Sequence, residues 1–178
     1  MTGFERETPF ADPSTIELIV LDVDGSLTDG SLWYDAQGNE LKRFNVKDGL
    51  GIRLWQHMGH ELAIVTGRGG PAVRRRAAEL GIDHVFEGSK KKTEALDRIL
   101  SVTGLGPEQA ACLADDWNDL GLMAKVGYPV AVADAVERVR AAAAHTTLLP
   151  GGHGAAREAI EYLLTARGEL DEAAAMWR

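Results

Sequence analysis

The sequence predicts a three-layer α/β fold of the Rossmann-like kind, with a parallel sheet carrying helices on both faces. Three observations predict it. Short aliphatic runs alternate with segments of helical period along most of the chain, the pattern of strands joined by crossover helices. The aliphatic runs lack the every-second-residue polar alternation of a half-exposed strand, so they suit strands buried on both faces. Three of the runs stop abruptly at acids or hydroxyls, as strands do where the carboxyl edge of such a sheet borders a ligand crevice.

Met1–Thr15 mixes charges with Pro9 and Pro13 without periodicity and is read as a mobile leader, residues 1–15. Ile16–Leu21 is a β-branched and aliphatic strand that ends in Asp22, Val23, Asp24 and Gly25. Ser31–Val46 places two short aromatic or alternating segments around an Asp35–Asn39 turn, which predicts a small β-hairpin at about 32–46. With Leu32, Trp33, Tyr34, Leu41 and Phe44 on it, that hairpin must fold onto the body or pack against another subunit.

From Asp48 the period becomes helical up to Gly59. Leu62–Thr66 is a second buried strand ending in Thr66-Gly67-Arg68. Pro71 opens a helix that Gly81 closes, following the preference for proline inside the start and glycine past the end. A short strand at Asp83–Phe86 precedes a helix from about Lys90 to Val102, and strand Ala110–Ala114 stops at Asp115, Asp116 and Asp119. A short helix to about Lys125, a strand at Pro129–Val132, a helix at Ala135–Ala144 and a brief strand near Thr146–Leu148 follow. The glycine-rich Pro150–Gly154 leads into a last helix to about Thr165. The expected organisation is one domain over residues 16–166 and a C-terminal tail over 167–178. Connections are too short for an inserted cap domain.

At 178 residues, with 45% hydrophobic and 26% charged residues, the chain has the composition of a single globular domain with length enough for a core. The net charge of −8, with no long basic face, argues against general nucleic-acid binding. No apolar run reaches membrane-spanning length and the N-terminal stretch lacks a signal-peptide hydrophobic region, so a cytoplasmic location is expected. The single cysteine, Cys112, lies in an apolar run and reads as a core residue.

In a parallel sheet the ends of the three truncated strands share one edge, which gathers Asp22, Asp24, Thr66, Asp115, Asp116 and Asp119. The cations of Lys90–Lys92 open a helix that reaches the same edge, although a positive charge there opposes the helix dipole and needs an anion to meet. Taken singly, these are ordinary turn, cap and surface residues. Together they form a set suited to phosphoryl transfer: carboxylates for Mg²⁺, a hydroxyl and an ammonium for phosphoryl oxygens, and an aspartate to attack.

The wording Asp22-Val23-Asp24-Gly25-Ser26-Leu27-Thr28, followed in order by Thr66, the lysines and Asp115, resembles the four motifs of the haloacid dehalogenase superfamily. The resemblance implies that Asp22 is the nucleophile and Asp24 the general acid and base. It further assigns a phosphoryl oxygen to Thr66, the third-motif lysine to Lys92, and Mg²⁺ to Asp22, the Asp24 carbonyl and Asp115. Asp116 and Asp119 would support that ion indirectly. Two departures are visible: Lys91 where relatives often carry Asp or Asn, and Ala114 where glycine is usual.

More narrowly, the chain is similar to the cap-less 3-deoxy-D-manno-octulosonate 8-phosphate (KDO 8-phosphate) phosphatases. The similarity runs through Phe44–Gly49, Thr66–Arg68, Val130–Ala135, Gly151–Glu158 and Gly168–Ala173. It implies a sugar-acid phosphate substrate, cytoplasmic lipopolysaccharide biosynthesis, and a homotetramer built through the hairpins. Arg68 and Arg76, with Arg157 after them, are the candidates for the substrate carboxylate, since guanidinium suits planar acids. Arg68 and Glu79 lean away from the related phosphatases of nine-carbon nonulosonate 9-phosphates, which carry glutamate and lysine there. Lys47 stands where an arginine is common. A catalytically idle binding relative is the reading from another class, opposed by the intact set of motif residues.

Overall fold

A computed structural model of the chain describes residues 9–176. Six strands form one parallel sheet in the order β5-β4-β1-β6-β7-β8. They are β1 (Leu18–Leu21), β4 (Glu61–Val65), β5 (His84–Phe86), β6 (Ala110–Ala114), β7 (Tyr128–Ala131) and β8 (His145–Thr146). The central strands β1 and β6 are buried along their whole length, which explains why they read as unbroken apolar runs. Two further strands, β2 (Trp33–Tyr34) and β3 (Glu40–Leu41), pair antiparallel as the expected hairpin.

Among the described residues seven α-helices complete the layers: α1 (Val46–His57), α2 (Pro71–Leu80), α3 (Lys92–Thr103), α4 (Leu120–Lys125), α5 (Glu137–Ala142), α6 (Ala155–Arg167) and α7 (Leu170–Ala175). They gather in two groups, α1 with α2, α6 and α7, and α3 with α4 and α5, around the central sheet. Their ends obey local chemistry. Pro71 opens α2 and Gly81, at φ +67°, closes it in the left-handed conformation that glycine tolerates. Asn45 caps α1 by accepting the Lys47 N–H at 2.9 Å. Asp48, buried in the first turn of α1, accepts the Arg157 N–H of α6 at 2.9 Å and ties those two helix starts together.

Trp55 of α1 is fully buried and donates its ring N–H to the Glu61 carbonyl at 2.8 Å, so the largest side chain of the core leaves no polar atom unpaired. Cys112 is buried, as its apolar surroundings suggest.

The leader differs from expectation, and the tail, named without a structure from sequence, has one. Residues 1–8 of the expected leader lie outside the described residues, and residues 9–15 are docked rather than loose. Asp12 caps a single 3₁₀ turn at Pro13–Thr15, and the Ala11 N–H reaches the Gly127 carbonyl at 3.0 Å. The tail is also structured, because Glu169 starts a turn that becomes α7 and buries Ala173 completely. One cluster holds both ends at the amino edge of the sheet. Arg167 donates to the Ser14 and Ile16 carbonyls at 3.0 and 2.9 Å and pairs with Glu17 and Glu169, both at 3.0 Å. His60 lies between the same two glutamates, at 2.8 and 2.6 Å. The contacts of Arg167 with Ser14, Ile16 and Glu17 span 150 to 153 positions of sequence, and no local periodicity announces them.

Candidate active site

Asp22, Thr66 and Asp115 each stand one residue past a strand, and those strands, β1, β4 and β6, are neighbours in the sheet. Parallel pairing therefore brings them to one rim. All three loops are fixed by the backbone: the Asp22 N–H meets the Leu113 carbonyl, the Thr66 N–H the Phe86 carbonyl, and the Val136 N–H the Asp115 carbonyl.

Lys92 is the first residue of α3 and is buried, whereas Lys90 and Lys91 are exposed and Lys91 pairs with Glu94. Its Nζ lies 2.6 Å from Asp22 Oδ1 and 2.6 Å from Asp119 Oδ1. The unfavourable placement of a cation at a helix start is thus answered by two anions. Burial alone would depress the Lys92 ammonium, but Asp22 and Asp119 together hold it above the usual lysine range. Asp119 is fully buried and its second oxygen accepts the Asp115 N–H at 3.4 Å, so it links Lys92 to the Asp115 loop.

The carboxylates are crowded. Burial, then the Asp22 and Asp119 charges, push Asp115 up to about 8. Burial and Asp119 push Asp22 up to about 6 against the pull of Lys92. Asp22, Asp115 and Asp119 each offer one oxygen within 4.8 Å of the others'. Asp115 Oδ1 is buried with no hydrogen-bond partner among the described residues. Such an orphaned oxygen beside a second buried carboxylate is the donor set of a hard divalent cation. Since both Asp119 oxygens are engaged, Asp22 and Asp115 are the pair that fits Mg²⁺. The loop is shaped for this approach: Gly25 has φ +91°, and a Cβ there would collide with the Asp115 carboxylate.

Asp24 is half-buried and outside that trio. One of its oxygens meets the Lys42 ammonium from the hairpin, while Oδ2 is buried without a partner. Asp116 is exposed and caps the Trp117 N–H at 2.7 Å, a purely local role.

The three candidate arginines separate. Arg68 sits beside Thr66, its N–H donating to Thr66 Oγ1 at 3.2 Å and its exposed guanidinium meeting Glu40 at 3.1 Å. Arg76 is turned elsewhere. It donates to the Asn45 carbonyl at 3.0 Å, pairs with Glu79 at 3.3 Å and lies 5.8 Å over the Phe44 ring. Arg157 pairs with Glu161 one turn on, at 2.6 Å. All three candidates for the substrate carboxylate thus have partners within the chain: Glu40 for Arg68, Glu79, the Asn45 carbonyl and the Phe44 ring for Arg76, and Glu161 for Arg157.

Two contributors escaped the sequence reading. Lys42 is one, since nothing in Glu40-Leu41-Lys42-Arg43 marks which residue turns inward. The other is the glycine-rich loop after β8. The Gly152 N–H donates to the Ser26 carbonyl at 3.0 Å, and a side chain at Gly151 or Gly152 would strike the backbone of Gly25, Thr28 or Asp29. The buried glycines of this loop thus buttress the Asp22–Asp24 turn. The run Gly151-Gly152-His153-Gly154 was its only signal. His153 is exposed, 3.1 Å from an Arg43 nitrogen.

Comparison with known proteins agrees with this geometry. The sequence pattern of haloacid dehalogenase-like hydrolases matches residues 83–158. The KDO 8-phosphate phosphatase of Escherichia coli K12 is 44% identical over 163 residues, covering 92% of this chain and 87% of its own. That of Salmonella typhimurium is 45% identical over 158 residues, covering 89% and 84%. Among solved structures, the Moraxella catarrhalis KDO 8-phosphate phosphatase, in complex with magnesium, phosphate and KDO, superposes with a TM-score of 0.90. It is 37% identical, and the alignment covers 94% of this chain and 96% of that one. The Yersinia pestis enzyme gives a TM-score of 0.88 at 40% identity, covering 90% and 86%.

Proposed function

The chain belongs to the KDO 8-phosphate phosphatases of the haloacid dehalogenase superfamily, and from this we infer that it hydrolyses KDO 8-phosphate to the free sugar acid and inorganic phosphate with Mg²⁺. The observation that carries the reading is the single lysine, Lys92, bridging Asp22 and Asp119 while Asp22 and Asp115 crowd together at the mouth of the same strands.

Asp22 attacks phosphorus as the bond to the sugar oxygen breaks, and Asp24 gives its proton to that departing oxygen. An aspartyl phosphate is left on Asp22. Asp24, now ionised, takes a proton from water as the water attacks phosphorus, releasing phosphate and restoring both acids. Splitting the hydrolysis lets one carboxyl serve as acid and then as base. Lys92 keeps the Asp22 carboxylate aimed and offsets charge on the transferring group, and Thr66 donates to a phosphoryl oxygen. Asp22, the Asp24 carbonyl and Asp115 hold Mg²⁺, which supplies electrostatic stabilisation of the phosphoryl oxygens when bound. Arg68, whose backbone N–H meets Thr66 and whose exposed guanidinium meets Glu40, takes the sugar carboxylate.

Side-by-side assays of eight- and nine-carbon sugar-acid phosphates test the reading. We expect kcat/KM to favour the eight-carbon substrate by at least about tenfold, a difference of about 1.4 kcal/mol in transition-state binding. Preference for the nine-carbon compound would overturn it.

The assembly reading is a homotetramer through the hairpin, in the cytoplasm, with no nucleic-acid or membrane partner. No helix among the described residues is long and apolar enough to cross a membrane. Leu32, Trp33, Tyr34 and Leu41 are all more than half exposed, a contiguous apolar surface that water does not favour. Phe44, counted with them from sequence, instead packs on the core beneath Arg76. Replacing Trp33 and Leu41 with glutamate is therefore expected to reduce the mass seen by light scattering, while Phe44 substitutions destabilise the fold. An undiminished mass would count against hairpin-mediated assembly.

A further inference from the structure

The hairpin carries a polar feature that no motif claims. Lys42 follows β3, where its neighbours Leu41 and Arg43 are exposed, yet its side chain is only 3% exposed. Burying an ammonium is costly unless anions receive it. Two do: its Nζ contacts Asp24 Oδ1 and lies 2.8 Å from Glu40 Oε1. The other Glu40 oxygen accepts from Arg68 at 3.1 Å. An alternating chain of charges thus runs from Arg68, through Glu40 and Lys42, to Asp24. It leaves Asp24 with one oxygen fixed and the other, Oδ2, buried and unpartnered.

That asymmetry fits a carboxyl that must present one oxygen to an incoming group. A carboxylate at the end of a short side chain turns about its terminal bond with little restraint. A charge-assisted contact to one oxygen removes that freedom before substrate arrives. We propose that Lys42 is a positioning residue for the phosphatase reaction, fixing Asp24 so that its free oxygen addresses the leaving group, with Glu40 and Arg68 holding Lys42 in turn. The proposal rests on the phosphatase reading given above. It makes the hairpin part of the catalytic apparatus of its own subunit, besides any role in assembly.

The test compares Lys42→Met and Lys42→Arg with wild type on two substrates. KDO 8-phosphate releases an alkoxide that needs a proton. p-Nitrophenyl phosphate releases a phenolate that does not, followed in the first turnover so that only the first half-reaction is read. Lys42→Met is expected to lower kcat on the sugar phosphate by about 10–100-fold, less than the full contribution of an acid–base residue, because Asp24 is misaimed and not removed. KM should stay within about threefold, and the first-turnover rate on the aryl phosphate should fall by no more than about threefold. Lys42→Arg, which keeps the cation, should recover most of the loss.

Circular dichroism and light scattering establish that each variant keeps its fold and mass. If Lys42→Met does not fold, Glu40→Gln carries the test, with a selective loss of about 3–10-fold on the sugar phosphate expected from a loosened Lys42. Equal losses on the two substrates, an unimpaired Lys42→Met, or a Lys42→Arg as slow as Lys42→Met would each overturn the proposal. A wild type that releases no phosphate from either substrate would overturn the phosphatase reading itself, and this proposal with it.

Discussion

Replacing Asp22 with asparagine is expected to reduce phosphate release from KDO 8-phosphate by at least about 10⁴-fold, the scale on which removing a covalent nucleophile acts. The side chains are nearly isosteric, and the amide oxygen can still accept from Lys92, now 2.6 Å from Asp22 Oδ1. What is lost is the negative charge and the lone pair that attacks phosphorus. Stability should hold or improve, since the substitution removes one of the mutually repelling buried carboxylates of the Asp22, Asp115 and Asp119 cluster. A folded Asp22→Asn protein without activity is therefore the expected result, measured by inorganic phosphate release beside thermal unfolding. Activity above about a tenth of wild type would remove Asp22 from the nucleophile's role.

The second large effect concerns Asp115 and pH. In the metal-free chain its pKa is pushed up to about 8 by burial and by Asp22 and Asp119, and Asp22 itself to about 6. An unfolded aspartate releases its proton near 3.8. Between about pH 4 and 8 the folded chain therefore binds more protons than the unfolded one, and stability falls as pH rises through that window. The metal-free protein should melt several degrees lower at pH 8.5 than at pH 5.5. Magnesium, binding the ionised carboxylates of the folded state, should raise the melting temperature more at the higher pH.

Asp115→Asn mimics the protonated acid. It should flatten the decline and melt at least about 3 °C above metal-free wild type at pH 8, which for a chain of this length reflects about 1 kcal/mol. The same change should cancel the magnesium-dependent rise and cut phosphate release by more than about 100-fold, several kcal/mol of lost charge stabilisation. Scanning fluorimetry across pH with and without magnesium reads all of this. A magnesium response that survives Asp115→Asn would show that the ion is held elsewhere.

The reading of the catalytic rim survived folding because it depended on a simple rule. Strands that are apolar throughout pair in parallel, and whatever ends them meets at one edge. Asp22, Thr66 and Asp115 follow three adjacent strands, so their convergence was implicit in three short runs of letters. The helix-start lysines needed an anion for a related reason, and the motif spacing of the resemblance picked Lys92 among the three, the one that is buried between Asp22 and Asp119.

By itself, then, the sequence determined the fold class, nearly every element and the acidic rim, because burial period, glycine and proline placement, and the residues that end each strand are all written locally. Tertiary structure alone decided which polar side chains turn inward. Lys42 and Arg43 are neighbours on the hairpin, yet one is buried against Asp24 and the other pairs at the surface with Asp29. Nothing in the sequence showed that Arg68 would meet Glu40, Arg76 a carbonyl, a ring and Glu79, or Arg157 Glu161. The leader read as loose and the tail had no assigned structure, yet Arg167 and His60 bind both across the amino edge of the sheet. The physical reason is common to these cases. Long charged side chains are placed by whichever partners lie within a few ångströms after folding, and for a residue with several candidates the sequence carries no term that ranks them.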